Sequence, residues 1–296
     1  MVIWNIFFST ILLPLVATAL LWRRARRPVA LWVATLLLAA GVNGFSLLAA
    51  PWGWFGVPLR VVLALLFVAA IVRSVLRAPA VEVEGDAKPT SPFRILVMAL
   101  IGVFFGSVAV GVLRAHRVPP GAIDVGFPLT RGAYIVGQGG SEPASNYHAQ
   151  DRAQRYAVDL LKLNGAGMRA HGLYPDDANA YAIFGDAIVS PCAGVVVEAV
   201  DGFPDAARIS LDTKNPAGNH VTLRCGDANV TLAHFRRGSV AVRTGTTIAR
   251  GALLGRVGNS GNSTEPHLHV HAERDGAGVP LRFDGRWLVR NAIIRK

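Results

Sequence analysis

The sequence predicts an N-terminal four-span α-helical membrane part, residues 1–116, followed by an all-β domain, residues 117–296, shaped as a sandwich or partly open barrel. Three observations carry this. Residues 1–113 are strongly apolar and hold none of the eight histidines. They divide into runs near the roughly 20 residues that a helix needs to cross a hydrocarbon core. Beyond Val118 the chain changes to short runs rich in Val, Ile, Leu and Thr, separated by Gly, Asn, Asp and Pro, the pattern of strands and turns.

The spans are expected at residues 3–21, 29–50, 55–72 and 95–113. The cluster Arg23, Arg24, Arg26 and Arg27 follows the first run instead of preceding it, and no small-residue cleavage site comes after; the run reads as a retained span. Pro58 and Arg60 interrupt the third run, leaving 61–72 clear, with Arg60 placed to snorkel and Trp52 and Trp54 to form an interfacial aromatic belt. The loop RRARRP and the segment 73–94 carry most of the flanking positive charge, while APWGWFGVP carries none. The positive-inside rule then puts the N-terminus outside and everything after the fourth span outside, on the extracytoplasmic side of the cytoplasmic membrane.

The formal net charge is +11, with the arginines scattered and several at span ends. This pattern does not point to nucleic acid. It suits contact with the lipid bilayer or another anionic polymer. The only cysteines, Cys192 and Cys225, both fall in the β domain, at the edges of predicted strands. An oxidising exterior permits a bridge between them, closing a loop of about 34 residues and contributing roughly 3–4 kcal/mol in the chain-entropy model.

Strands are expected at 133–136, 155–161, 194–200, 220–224, 230–235, 253–257 and 267–272, with a few helical turns at 176–183. The last strand holds the feature that points to chemistry. PHLHVH puts His267, His269 and His271 on alternate positions, hence on one face of a strand. Imidazole is the commonest metal ligand and titrates near neutral pH.

Upstream stand GRVGNSGNSTE, then TLAHF with His234, and NYHAQDRAQRYAVDLL with His148 and Asp159. From residue 133 to 283 these segments resemble the lysostaphin/LytM-type zinc metalloendopeptidases. The late motif, from Gly258 to His269, is nearly complete. The resemblance implies Zn2+ held by His148, Asp159 and His269, with His234 and His267 as two catalytic histidines that do not bind the metal. It implies peptidoglycan stem-peptide cross-links as substrate. The alternatives are an inactive module that regulates cell-wall hydrolases, and a metallopeptidase acting on a protein or secreted peptide. Many relatives carry the first His four positions before the Asp; here that position is Arg155, and His148 stands eleven before Asp159. His148 must therefore reach the metal from a preceding loop.

Three N/O ligands and an open position are the usual arrangement of catalytic zinc. His271 is expected behind the site or at the surface. His220 is a candidate substrate contact. His171 is expected in a solvated loop and His116 at the membrane exit. Asn259, Ser260, Asn262, Ser263 and Thr264 should shape the turn before His267, with Ser263 orienting the site.

Overall fold

The computed structural model describes residues 2–23, 28–77, 91–207 and 212–296. It divides into two compact units, 1–52 with 57–113, and 53–56 with 114–296. Most of the RRARRP loop and the acidic-to-basic connector at 78–90 lie outside the described residues.

Among the described residues, four helices are long and apolar enough to cross a membrane: Ile3–Trp22, Val29–Ala49, Val57–Leu76 and Pro92–Arg114. The third is longer than the clear run at 61–72 suggested, because Pro58 falls in its first turn. There its missing N–H costs no hydrogen bond and its fixed φ suits the helix. In the first helix Pro14 follows a π-helical turn, Phe8–Leu12, and the Thr10 carbonyl accepts a bond from the Ser46 hydroxyl at 2.8 Å. Asn43, also buried, donates to the Ala39 carbonyl at 2.9 Å and accepts from Thr18 at 3.3 Å. Such polar contacts join helices where no hydrophobic drive does.

The second and fourth helices touch backbone to backbone. A Cβ added at Gly41 would lie 2.0 Å from the Gly102 carbonyl oxygen. Only glycine permits that approach, and close packing through small residues is how helices associate in lipid. Leu65 and Phe104 instead point outward, each 64 % exposed.

The second unit is β-rich. In chain order its strands are β1 (Ile123–Val125), β2 (Ala133–Gln138), β3 (Val158–Leu163), β4 (Ala187–Val189), β5 (Gly194–Val200), β6 (Asn219–Cys225) and β7 (Ala228–Phe235). They continue with β8 (Thr247–Ile248), β9 (Leu253–Arg256), β10 (Leu268–Arg274), β11 (Ala277–Gly278), β12 (Leu281–Phe283), β13 (Arg286–Trp287) and β14 (Ile293–Arg295). The main sheet is open, with order β14-β2-β3-β10-β7-β6-β5-β8, and β11 pairs with β10. Its pairings are antiparallel. Small sheets β1-β12-β13 and β4-β9 complete the unit.

Leu160, Leu223, Leu232, Phe235, Leu268 and Val270 are fully buried and belong to one continuous core. On β10 the apolar residues Leu268 and Val270 alternate with His269 and His271. The period of two thus divides this strand into a core face and a chemical face.

Cys192 and Cys225 are joined by a disulfide, with Cα atoms 5.9 Å apart. The pairing of Val195 with Arg224 brings them together.

Several expectations need correction. The strand at 155–161 begins only at Val158, and Arg155 lies exposed in a turn. The helical turns at 176–183 reduce to a single 3-10 turn, Ala178–Ala180. Trp52 and Trp54 form no exposed belt, since both are buried. The Trp52 indole donates to the Ser46 carbonyl at 2.7 Å. Trp54, which counts with the second unit, stacks on Tyr174 with centroids 5.4 Å apart. The Arg169 guanidinium lies 3.8 Å from its ring centroid. A tryptophan indole and a guanidinium plane attract one another most strongly when both are withdrawn from water, and that drives Trp54 inward.

Candidate metal centre

The centre begins with register. β10 lies between β3 and β7, and His269 pairs directly with Asp159 on one side and Ala233 on the other. Residues directly opposite in an antiparallel pair share a face. His269 Nδ1 accordingly lies 2.9 Å from Asp159 Oδ1.

His148 comes from outside the sheet, in the 3-10 turn Tyr147–Gln150. Buried Asn146 fixes that turn. Its side-chain oxygen accepts the His148 backbone N–H, and its amide donates to the carbonyls of Gly140 and Ala157 at 3.0 Å each. His148 Nε2 then stands 3.3 and 3.1 Å from the two Asp159 oxygens. The eleven-residue spacing is thus spanned by a turn that an Asx motif closes.

His234 reaches the same face by a backbone reversal. Ala233 shares the face of His269, so the next residue of a regular strand would point into the core. His234 instead has φ +64, a conformation uncommon and strained for a residue with a Cβ. The reversal is held by His234 N–H to the Ala217 carbonyl at 3.1 Å and Gly258 N–H to the His234 carbonyl at 2.9 Å. The flanking loops meet at Gly218 (φ +56) and Gly261 (φ +79), where a Cβ on either would come within 2.5 Å of the other's backbone.

The two candidate catalytic imidazoles are held alike. His234 Nδ1 donates to the Ser260 carbonyl at 2.8 Å, and His267 Nδ1 to the Glu265 carbonyl at 2.8 Å. A neutral imidazole has one N–H, so in each the bare nitrogen is Nε2. Their rings lie 4.6 Å apart, and His267 Nε2 is 3.7 Å from Asp159 Oδ1. Ser263 bridges beneath, donating to the Glu265 carbonyl at 2.9 Å and lying 3.2 Å from His267 Nδ1.

Burial opposes charge on Asp159, yet His148 and His267 beside it hold its carboxyl well below the usual range. Burial, with His267 and His269 adding to it, pushes His234 well down. Burial also lowers His269. The centre therefore favours an ionised Asp159 carboxylate and neutral His234 and His269, and ionised carboxylate and neutral imidazole are the states that bind a metal.

The donor set fits zinc. One donor atom each of His148, Asp159 and His269 lies within 4.8 Å of the others. Ligands about 2.1 Å from a tetrahedral ion stand about 3.4 Å apart; the separations from Asp159 are 2.9–3.3 Å. His234, His267 and His269 form a second overlapping group of the same kind. The face opens into a cavity of about 540 Å³ whose lining includes Tyr147, His148, Asn262, His234, His269 and His271.

The remaining expected residues separate. His220 lies on β6 and holds Glu198 at 3.2 Å and the Gly218 carbonyl at 2.8 Å; it is not among the cavity-lining side chains. His171 and His116 are exposed. Cys192 and Cys225 form their bridge at the edge of the core, away from the cavity lining. Of the polar turn, Asn259, Ser260 and Ser263 are buried. Sequence reasoning missed Asn146 and Glu265. The Asn two positions before His148 is a signal for an Asx turn. Glu265 offered none, because its partner Arg169, at 2.6 Å, is ninety-six residues away.

Residues 178–280 match the family model described as Peptidase family M23. The match includes His234, His267 and His269 and begins downstream of His148 and Asp159. Similar solved structures include a zinc-containing peptidase from Vibrio cholerae, at 17% identity over 52% of this chain and 37% of that one, TM-score 0.30. A putative peptidase M23 from Pseudomonas aeruginosa is 20% identical over 59% of this chain and 57% of that one, TM-score 0.30. The antimicrobial peptidase lysostaphin from Staphylococcus simulans is 22% identical over 40% of this chain and 36% of that one, TM-score 0.26. The chain therefore spans less than two thirds of each of these relatives.

Proposed function

We propose that this chain, which carries a Peptidase family M23 domain over residues 178–280, is a membrane-anchored zinc endopeptidase that cuts peptide cross-links of peptidoglycan outside the cytoplasmic membrane. The observation that carries the reading is the convergence of His148, Asp159 and His269 beside two imidazoles whose Nε2 atoms are bare.

His148, Asp159 and His269 would hold the metal. Zinc bound there supplies Lewis acidity, lowering the pKa of water and polarising a carbonyl oxygen. The chain's own groups do the rest. His267 and His234 each present a proton acceptor, and each is aimed by a backbone carbonyl that no substitution of a neighbouring side chain removes. One accepts a proton during attack on the scissile carbonyl. That same imidazole, now protonated at Nε2, returns the proton to the leaving amine, while the other, when it carries a proton on Nε2, donates a hydrogen bond to the developing oxyanion. Burial favours the neutral form of His234.

The substrate class rests on the family resemblance and on the basic balance of the chain, which suits an anionic wall. The four apolar helices support anchoring, and the loop charges support an external domain. The domains so proposed are 1–116 for the membrane part and 117–296 for the peptidase.

The test is to incubate the detergent-purified full chain with defined cross-linked muropeptides and identify products by mass spectrometry, with and without a chelator. Chelator-sensitive cleavage of a cross-link supports the reading. Intact substrate from zinc-loaded protein, with stoichiometric zinc bound, would turn the assignment toward a protein or peptide substrate. Absence of zinc binding would leave the binding-module alternative.

A further inference from the structure

We propose that His271 is a positioning residue of this centre: its Nδ1 accepts the Nε2–H of His269 and so holds His269 in the tautomer that leaves Nδ1 bare toward Asp159 and His148. The inference rests on the metal assignment above and adds a residue to it.

The geometry begins on β10. His269 and His271 are two residues apart, so both stand on the strand's chemical face. β3 and β7 flank the strand at His269, and β7 continues alongside His271, which pairs with Thr231. Backbone pairing thus fixes the spacing of the two rings. The rings meet edge to face, with centroids 5.1 Å apart, and His269 Nε2 lies 3.0 Å from His271 Nδ1. The other nitrogen of His269 points at Asp159 Oδ1.

A neutral imidazole carries its single proton on one nitrogen, and the other has the lone pair. With the proton on Nδ1, His269 would donate to Asp159 and offer the centre no ligand. With the proton on Nε2, Nδ1 is a ligand, but the buried N–H needs an acceptor. His271 Nδ1 stands where that acceptor is required. Second partners of this kind orient metal-binding histidines and raise their basicity.

His234, His267 and His269 are therefore oriented in two ways. His234 and His267 lean on the backbone carbonyls of Ser260 and Glu265. His269 leans on a side chain, which substitution can remove without touching either neighbour.

The test compares His271→Leu with His271→Asn in the full-length protein in detergent. Leucine fills much of the volume and offers no acceptor. Asparagine carries Oδ1 the same number of bonds from its Cα as histidine carries Nδ1. Zinc affinity is read by competition with a chromogenic chelator. The hydrogen bond is read from the ¹H shift of the His269 Nε2–H in the zinc-loaded, ¹⁵N-labelled protein, with His269 assigned by loss of its signals in His269→Asn. His271→Leu should bind zinc about 10–100-fold more weakly, and its His269 Nε2–H should lose the downfield shift of a hydrogen-bonded proton. His271→Asn should restore both. Unchanged affinity and Nε2–H shift in His271→Leu would overturn the proposal, as would an asparagine variant as weak as the leucine one. Weakened affinity with an unchanged Nε2–H shift would also overturn it, since packing alone then explains the loss. A wild type without zinc affinity would instead overturn the metal assignment, and this proposal with it.

Discussion

Asp159 and His269 face one another across the β3–β10 pair, in direct register and 2.9 Å apart through Oδ1 and Nδ1. His148 completes the set from a turn outside the sheet. Two donors are therefore held by strand pairing and one by a loop.

That difference predicts unequal effects. Asp159→Ala and His269→Ala should abolish stoichiometric zinc binding, because each removes a proposed ligand fixed by strand pairing. His148→Ala should lower occupancy as well, and Asn146→Ala should reproduce part of that loss by freeing the turn. Metal content of the purified variants by elemental analysis checks this. Full zinc and full activity in His148→Ala would place the third ligand elsewhere.

His234→Ala and His267→Ala should separate binding from turnover. Zinc stays bound, because neither side chain is needed to complete the three-ligand set. Turnover should fall about 10²–10⁴-fold, the range for losing a positioned acid–base group. Steady-state rates on a muropeptide, measured beside metal content, read both quantities.

The Arg169–Glu265 pair predicts a stability effect away from the metal. The guanidinium is fully buried and binds Glu265 through Nε at 2.6 Å. Burial raises the Glu265 carboxyl while Arg169 opposes that rise. Removing the cation in Arg169→Met leaves a buried carboxyl without its partner. The expected loss is about 3–5 kcal/mol, read as a lowered unfolding midpoint in thermal or denaturant scans.

The neighbouring Tyr181 gives the same region an alkaline limit. Burial first, and Glu265 second, push its hydroxyl from 10.0 up to about 12. A folded value above the unfolded one means stability is full below pH 10 and falls as pH rises from 10 towards 12. Tyr181→Phe should flatten that limb of a stability–pH profile. An unchanged limb would assign the alkaline loss to another group.

The cysteine bridge predicts a further loss. Cys192→Ser with Cys225→Ser should cost about 3–4 kcal/mol of domain stability, measured as a shifted denaturation midpoint. In the wild type, alkylation without reductant should label neither sulfur.

Much of the centre was legible because it is written locally. The alternation Leu268-His269-Val270-His271 states both the strand and its faces in four residues, and the apolar spans other than the third state their own extent. What escaped was long-range or cooperative. The third helix looked broken at Pro58 until its first turn was placed there. Arg155 looked like part of a strand, but only three-dimensional pairing starts β3 at Val158. The reversal at His234 depends on two loops more than twenty residues apart meeting at their glycines. Local propensity contains neither loop's partner. Trp54 misled for the same reason: an aromatic residue between apolar runs suits an interface, and its partners Arg169 and Tyr174 lie more than a hundred residues on.

Trp54 also changes where this chain can be cut. The β unit is discontinuous, recruiting 53–56 from between the second and third helices. The Gly53 carbonyl accepts the Arg169 backbone N–H at 2.8 Å, so main chain as well as the indole enters the unit. A cloning boundary at residue 117 would keep every candidate metal ligand and discard one covering of Arg169. Such a fragment should be less stable than the same domain in the whole chain, and a co-supplied peptide spanning 50–58 should restore part of the difference. Trimming from the N-terminus in search of a soluble fragment therefore removes 53–56 before it reaches the last span.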